Sequence, residues 1–175
     1  MKLFFLAIAI LMSQLVSAQS NYDISKDAEN GEQVYKGVFT FLDLHAESTF
    51  GWLKHGYDSY KPDTNDIKYL KKNMGKYSLL VFIGTWCDDT HKMLPRLEKV
   101  LNLSAYPMAK YTMFGVDREK NAKNAEAKIY RIKDVPTVIV MSGHKEVGRI
   151  TETVKKSVEK DLVAIIKKDL GDTDK

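Results

Sequence analysis

The chain has 175 residues, 44% of them hydrophobic, and a formal net charge of +4 at pH 7. Such a chain is long enough for one domain with a substantial core and too short for two ordinary domains. Its lysines are spread along the chain without an interleaved aromatic cluster, which argues against a nucleic-acid-binding protein, and its single cysteine excludes a scaffold held by internal disulfides.

The N-terminus has the pattern of a secretory signal peptide. One basic residue, Lys2, precedes an apolar run from Leu3 to Met12, and Val16-Ser17-Ala18 brings small residues to a plausible cleavage site. The uncharged stretch is slightly short for a membrane span. We therefore expect residues 1–18 to be removed, so that the mature chain starts near Gln19 and is periplasmic or secreted, with no further membrane contact.

Residues 19–63 are predicted to form an extension that packs on the domain. Their start, residues 20–33, is polar and is expected to be loose. Residues 34–41 alternate weakly between apolar and polar side chains, which predicts an edge strand. Residues 42–60 are rich in bulky apolar groups and include Ser48, a suitable N-cap for a short helix. These aromatic side chains are expected to pack on the domain, with substrate recognition as the alternative.

The next apolar pattern predicts a helix, a buried strand and a second helix. Thr64 is a suitable N-cap for the first helix, and Gly75 is a suitable stop. The continuous apolar run from Leu79 to Ile83 predicts a strand covered on both faces. From Cys87 onward the apolar residues return to helical spacing, with Pro95 inside the pattern as a predicted kink.

The second half of the domain predicts three more strands and two helices. The strands are predicted at Tyr111–Val116, Val138–Met141 and Glu146–Ile150. Asn121 is expected to cap a short helix that buries Ala122, Ala125 and Ile129, and a C-terminal amphipathic helix is expected to end at Gly171. This order predicts an α/β fold over residues 64–170, with a central mixed sheet of about four strands, helices on both faces and a C-terminal tail at residues 171–175.

Cys87 lies where the apolar strand gives way to a helix. Unpaired N–H groups and the helix dipole stabilise a thiolate at such a position, although burial as a small hydrophobic residue is the alternative. Thr90, one turn later, is placed to offer its hydroxyl to the sulfur. Asp88 and Asp89 oppose ionisation of the thiol and also have the simpler explanation of favouring the helix dipole.

His91 lies four residues after Cys87 and shares its helical face. The pair is a candidate for binding copper or zinc, although two ligands do not close a metal site. A surface imidazole in a polar first turn is the simpler interpretation.

Four features together resemble the thioredoxin family. They are Trp86-Cys87 at the strand-to-helix junction, Pro95 eight residues after the cysteine, Val135-Pro136-Thr137 before the next buried strand, and a hairpin followed by a terminal helix. The resemblance covers Thr64 to Leu170. It places Trp86, Cys87 and Thr90 in a catalytic site. It also implies that Pro136 is cis and faces the cysteine, so that Val135 and Pro136 contact an extended substrate chain.

Two departures from the family narrow the expected chemistry. The resolving cysteine is replaced by Thr90, and the buried acid of the strand, six residues before Cys87, is replaced by Val81. We therefore expect a monothiol protein that forms mixed disulfides with protein or small-molecule thiols and disulfides, without a cofactor. The alternative is a non-catalytic binding protein of the same fold, such as a copper or zinc carrier through Cys87 and His91.

Overall fold

The structure is a computed structural model that describes residues 21–172. The predicted signal peptide and the last three residues of the predicted tail lie outside this range. The described residues form one sheet whose six strands are β1 (Tyr22–Lys26), β2 (Gln33–Phe39), β3 (Ser78–Ile83), β4 (Tyr111–Gly115), β5 (Thr137–Ser142) and β6 (Lys145–Thr151). Their spatial order is β1-β2-β4-β3-β5-β6, in which only β3 and β4 pair in parallel.

In the described part of the chain, six α-helices accompany the sheet: α1 (Phe41–His45), α2 (Gly51–Ser59), α3 (Thr64–Asn73), α4 (Asp88–Leu103), α5 (Glu126–Ile129) and α6 (Val158–Leu170). Their ends follow ordinary capping chemistry. Ser157 accepts a hydrogen bond from the backbone of Lys160 at the start of α6, and Gly171 ends that helix in the left-handed conformation, with φ of 68°. Within residues 21–172, none of these helices is long and apolar enough to cross a membrane.

The sheet separates two hydrophobic cores. Leu79, Val81 and Ile83 point from β3 into the larger core, which also contains side chains of α1–α4 and α6. Phe82 points to the opposite face, where a smaller core contains Trp86 and side chains of β4, α5 and β5. The continuous apolar run of β3 is explained by burial on both faces.

Helix α2 lies very close to α4, the helix that follows Cys87. A Cβ atom on Gly56 would lie 2.5 Å from the ring of Pro95, which is inside α4. Only a glycine at this point of α2 permits the two helices to approach so closely. Residues that precede position 64 therefore pack into the same larger core as the domain.

The predicted number of about four strands is wrong, because two more lie before residue 64. The segment expected to be loose is not loose over its described residues, 21–33: β1 forms there, although four of its five side chains are exposed. Strand β1 is held by antiparallel pairing with β2. Such backbone pairing leaves no alternation of apolar residues in the sequence by which the strand could be predicted. The strand predicted at Val34–Phe41 is also not an edge, since β2 lies between β1 and β4. Asn30-Gly31 between the two strands is a hairpin signal that the sequence carries.

Several predicted helix boundaries are wrong by one or more residues. Asp63, and not Thr64, caps α3 by accepting backbone hydrogen bonds from its first turn. Gly75 lies within a 3-10 helix, Met74–Lys76, that follows α3. Ser48 begins a second 3-10 helix and caps nothing. At the start of α3, the carboxylate of Asp63 accepts the backbone hydrogen bonds that the hydroxyl of Thr64 was expected to accept.

The short helix predicted after Asn121 begins later and buries fewer side chains. Helix α5 starts at Glu126 and has four residues. Ile129 is 68% exposed and Ala125 is exposed, so their predicted burial is wrong, whereas Ala122 is buried. A helix of one turn is too short to present an apolar stripe to the core.

Candidate functional site

Cys87 is the N-cap residue of α4, directly after the loop that leaves β3. Its side chain is partly exposed, and its Sγ donates a hydrogen bond to the carbonyl oxygen of Val135 over 3.3 Å. The N-cap position places Cys87 at the end of α4 where the N–H groups are unpaired, and its sulfur makes no capping hydrogen bond to them. Such groups favour a negatively charged sulfur.

The partner of the sulfur lies at a cis peptide bond. The bond between Val135 and Pro136 is cis, as the resemblance implied. Both residues are buried, and the carbonyl oxygen of Pro136 accepts a hydrogen bond of 2.7 Å from the N–H of Glu152. The structure therefore brings Val135 next to Cys87 and ties Pro136 to the segment that follows β6.

Trp86 is packed beneath the loop before Cys87. It is 8% exposed, and its indole Nε1 donates to the carbonyl oxygen of Val116 over 3.0 Å. A Cβ atom on Gly84 would lie 2.5 Å from the indole ring. The glycine is therefore required for the ring to fold back under the loop.

Two cations lie over the indole ring of Trp86. The guanidinium carbon of Arg118 is 4.7 Å from the ring centre, and the Nζ atom of Lys120 is 5.6 Å from it. Both residues belong to the segment that follows β4. Cations at these distances are attracted by the electron-rich face of an indole.

The turn between β1 and β2 also reaches this site. We call residues 27–32 the acidic turn. Its Asp27 accepts two hydrogen bonds from Arg118, of 2.7 and 2.9 Å, and Glu29 lies 2.8 Å from the same guanidinium. The hydrogen bond from Arg118 holds the pKa of Asp27 at about 2, with backbone N–H groups of Asn30 and Glu29 adding to the effect.

His91 is partly buried and engaged by the extension, so the simpler interpretation as a surface imidazole is wrong. Its side chain is 17% exposed, and its Nε2 lies 2.7 Å from the carbonyl oxygen of Thr85. The ring stacks on Trp52 with 4.3 Å between centroids, and Glu32 of the acidic turn lies 3.6 Å from Nε2. Binding a metal through Nε2 would require His91 to give up its hydrogen bond to Thr85.

Thr90 is fully buried, and its hydroxyl has no hydrogen-bond partner among the described residues. The predicted hydrogen bond between this hydroxyl and the sulfur of Cys87 is therefore not formed in this structure. Asp89 pairs with Lys92 at 3.0 Å, in the same helical turn. Asp89 contributes most to raising the pKa of Lys92, through a hydrogen bond and through its charge.

The interior of the sheet carries no acid at the position expected from the family. Val81 is fully buried and pairs with Met113 on β4 and Val138 on β5. Within residues 21–172, no three His, Cys, Asp or Glu side chains are grouped so as to hold a metal ion.

Sequence reasoning missed Asp27 and Arg118. No role was predicted for Arg118, and Asp27 fell in a segment expected to be loose. The two residues are 91 positions apart, so no local pattern connects them. Only the Asn30-Gly31 hairpin signal pointed to a defined turn in this part of the chain.

The chain is similar to one protein family and to solved structures. A family model described as Thioredoxin matches residues 63–168. No curated protein matches the chain. The fold is similar to the crystal structure of a protein of unknown function from Pseudomonas aeruginosa, with a TM-score of 0.50, 18% identity, and coverage of 78% of this chain and 84% of that one. A second match is mitochondrial thioredoxin 3 from Saccharomyces cerevisiae in its oxidized form, with a TM-score of 0.38, 20% identity, and coverage of 65% of this chain and 98% of that one.

Proposed function

The chain belongs to the thioredoxin family, and we propose that it is an exported monothiol exchange protein in which Cys87 is the reacting thiol. The thioredoxin-like domain supports a general role in thiol–disulfide redox chemistry. The monothiol mechanism is proposed because the chain has one cysteine and therefore no resolving thiol of its own.

The position of the Cys87 sulfur carries the proposal. It is partly exposed, it caps the N-terminus of α4, and it lies 3.3 Å from the carbonyl oxygen of Val135. A thiol that is accessible and faces a helix N-terminus has the environment of a reactive cysteine rather than of a structural one.

The exchange reaction has two steps that balance. In the first, the Cys87 thiolate attacks one sulfur of a substrate disulfide, the substrate S–S bond breaks, and the other substrate sulfur leaves as a thiolate. In the second, the thiolate of a protein or small-molecule partner attacks the mixed disulfide. A new disulfide forms between that partner and the substrate, and Cys87 leaves as a thiolate.

The surrounding residues have distinct proposed roles. Trp86 supports the loop that presents the sulfur, and Val135 and Pro136 form the wall against which a substrate chain lies. The buried hydroxyl of Thr90 has no partner among the described residues and is available to a thiolate after rotation about its Cα–Cβ bond. With Val81 in place of a buried acid, proton transfer to a leaving thiolate depends on solvent, so we expect slow reduction of protein disulfides.

The test is adduct formation by the native protein. The protein is incubated with glutathione disulfide, and its intact mass is measured without reductant, beside Cys87→Ser as the control. We expect one glutathione per chain in the wild type, removed by added thiol, and none in the variant. A native thiol that reacts with N-ethylmaleimide yet gains no glutathione would contradict exchange chemistry.

Export is proposed from residues 1–18 alone. Expression of the whole chain with its leader, followed by mass analysis of the mature N-terminus, tests it. We expect a mature chain that begins near Gln19 in the exported fraction. A chain that retains Met1 inside the cell would contradict the proposal.

A further inference from the structure

The acidic turn contacts residues that come before and after Cys87 in the sequence. The side-chain amide of Asn30 donates to the carbonyl oxygen of Trp86 over 3.4 Å, and Glu32 lies 3.6 Å from Nε2 of His91. Trp86 directly precedes Cys87, and His91 follows it by four residues. A turn that precedes residue 63, where the family match begins, therefore borders the reactive thiol.

The acidic turn is closed by its own hydrogen bonds. The carboxylate of Asp27 accepts from the N–H groups of Glu29 and Asn30, each over 3.0 Å. The backbone N–H of Asp27 donates to Glu32, and Gly31 donates back to the Asp27 carbonyl. Gly31 has φ of 72°, which glycine adopts without strain. These bonds within the turn contribute to its shape.

The guanidinium of Arg118 joins this turn to residues 84–87, which we call the thiol loop. Arg118 binds the Asp27 carboxylate with two nitrogens, binds Glu29 with a third, and lies over the ring of Trp86. The side chain of Asp27 is buried and that of Arg118 is 32% exposed, so this bidentate pair is only partly exposed to water. The planar fork of arginine matches a carboxylate and stacks on an aromatic ring at the same time, which lysine does not do.

We propose that Arg118 and the acidic turn determine the substrate specificity of the thiol site by closing the Trp86 side of Cys87. Disulfides reach the sulfur from the side of Val135 and Pro136. The substrate class that fits is a disulfide on a protruding loop or short peptide, and a disulfide set in a broad folded surface is excluded by contact with the turn. The proposal rests on the proposed function, since Cys87 is the reacting thiol in both. Arg118 acts as a positioning residue.

The test compares two maleimides that differ only in bulk. N-ethylmaleimide and a maleimide attached to a small folded protein react with the wild type, with Arg118→Ala, and with Lys123→Met. Lys123 pairs with Asp23 and joins β1 to the same segment after β4, so it is the matched control. Loss of a partly exposed ion pair changes an opening equilibrium by about twofold to fivefold. We expect the ratio of the bulky to the small rate to rise by that factor in Arg118→Ala and to stay unchanged in Lys123→Met.

Two further variants keep the test decisive if Arg118→Ala does not fold. Asp27→Asn keeps the acceptor oxygen of the turn and removes its charge, and we expect the same rise in the ratio. Arg118→Lys keeps the charge and loses the fork, and we expect an intermediate ratio. An unchanged ratio in Asp27→Asn and Arg118→Ala overturns the proposed specificity. A wild-type thiol that reacts with neither maleimide overturns the proposed function instead.

Discussion

The two sides of Cys87 are built differently. On the Trp86 side, a buried indole, two cations and the acidic turn fill the space beside the thiol loop. On the Pro136 side, the contact of the sulfur is one hydrogen bond to Val135, and the carbonyl oxygen of Pro136 accepts a hydrogen bond from Glu152. Glu152 also lines a recess of about 160 Å³ at the start of α4. Packing and charge thus concentrate on the Trp86 side.

The two sides of Cys87 therefore differ in what they do for the thiol loop. The Trp86 side, which we call the closed side, holds the loop by contacts that come from the extension and from the segment after β4. The Pro136 side is called the open side. On the Pro136 side, the carbonyl oxygens of Val135 and Pro136 accept hydrogen bonds from the Sγ atom of Cys87 and from the N–H of Glu152, respectively. Variants on the closed side are therefore expected to change stability first, and variants on the open side chemistry first.

Removal of the indole is expected to have the largest effect. Trp86→Ala empties the centre of the closed side, and loss of a large buried aromatic side chain costs about 3–5 kcal/mol of unfolding free energy. Urea unfolding measures it. The control is Met108→Ala, which truncates an exposed apolar side chain. Equal losses in the two variants would show that the Trp86 side is not packed as described.

A smaller loss is expected from Gly84→Ala. The added Cβ would lie 2.5 Å from the indole, and overpacking of this kind costs about 1–3 kcal/mol. Gly51→Ala is the matched control, because nothing lies within 4 Å of its added Cβ.

A double variant sharpens this point. Because the three atoms nearest to the added Cβ all belong to the indole, Gly84→Ala made in the Trp86→Ala background is expected to cost little further stability. Additive losses would place the cost of Gly84→Ala elsewhere in the loop.

Thr90→Cys tests the chemistry of the thiol rather than its support. Residues three apart on the first helical turn can meet disulfide geometry, so we expect a reversible internal bond with Cys87 and measurable reduction of a model protein disulfide. Turnover should stay limited by Val81. Thiol counting before and after mild oxidation checks the bond, with Asp89→Cys as the control, since residues two apart do not face each other. Two free thiols retained in Thr90→Cys under oxidant would contradict the assigned geometry.

The smallest effect is expected from acid. Asp27 has a pKa of about 2 in the folded chain, below its ordinary value of 3.8, because Arg118 binds its carboxylate. The carboxylate therefore stabilises the fold fully above about pH 4, and this contribution is lost as the pH falls toward 2. Melting temperatures of the wild type and Asp27→Asn should differ at neutral pH and converge over that interval. A difference that is constant down to the lower limit would contradict the assigned ion pair.

Local patterns were sufficient for much of the family-like region. Leu79–Ile83 predicted a strand buried on both faces, and the structure has β3 at Ser78–Ile83. Helical spacing after Cys87 predicted α4 with Pro95 inside it, and Gly171 ends α6 as expected. These features depend on neighbours within a few residues, so the sequence displays them directly.

The extension was predicted less well, because its strands depend on distant partners. The side chains of β1 are mostly exposed, so their polarity resembles that of a loop, and the strand exists through pairing with β2. The Asn30-Gly31 pair in the sequence indicates a hairpin, but it does not indicate which strand of the sheet the hairpin would pair with. Its position against β4 is set by packing across the sheet.

The sequence by itself determined the atom for which a reaction is proposed: the sulfur of a single cysteine at a strand-to-helix junction, with Thr90 where a second thiol would stand. The tertiary structure alone decided what surrounds that atom. Asp27 meets Arg118 across 91 residues, and His91 meets Trp52 by stacking between two helices. Capping and periodicity act through adjacent turns of the backbone, whereas ion pairs and ring contacts need only proximity in space, which the completed fold supplies.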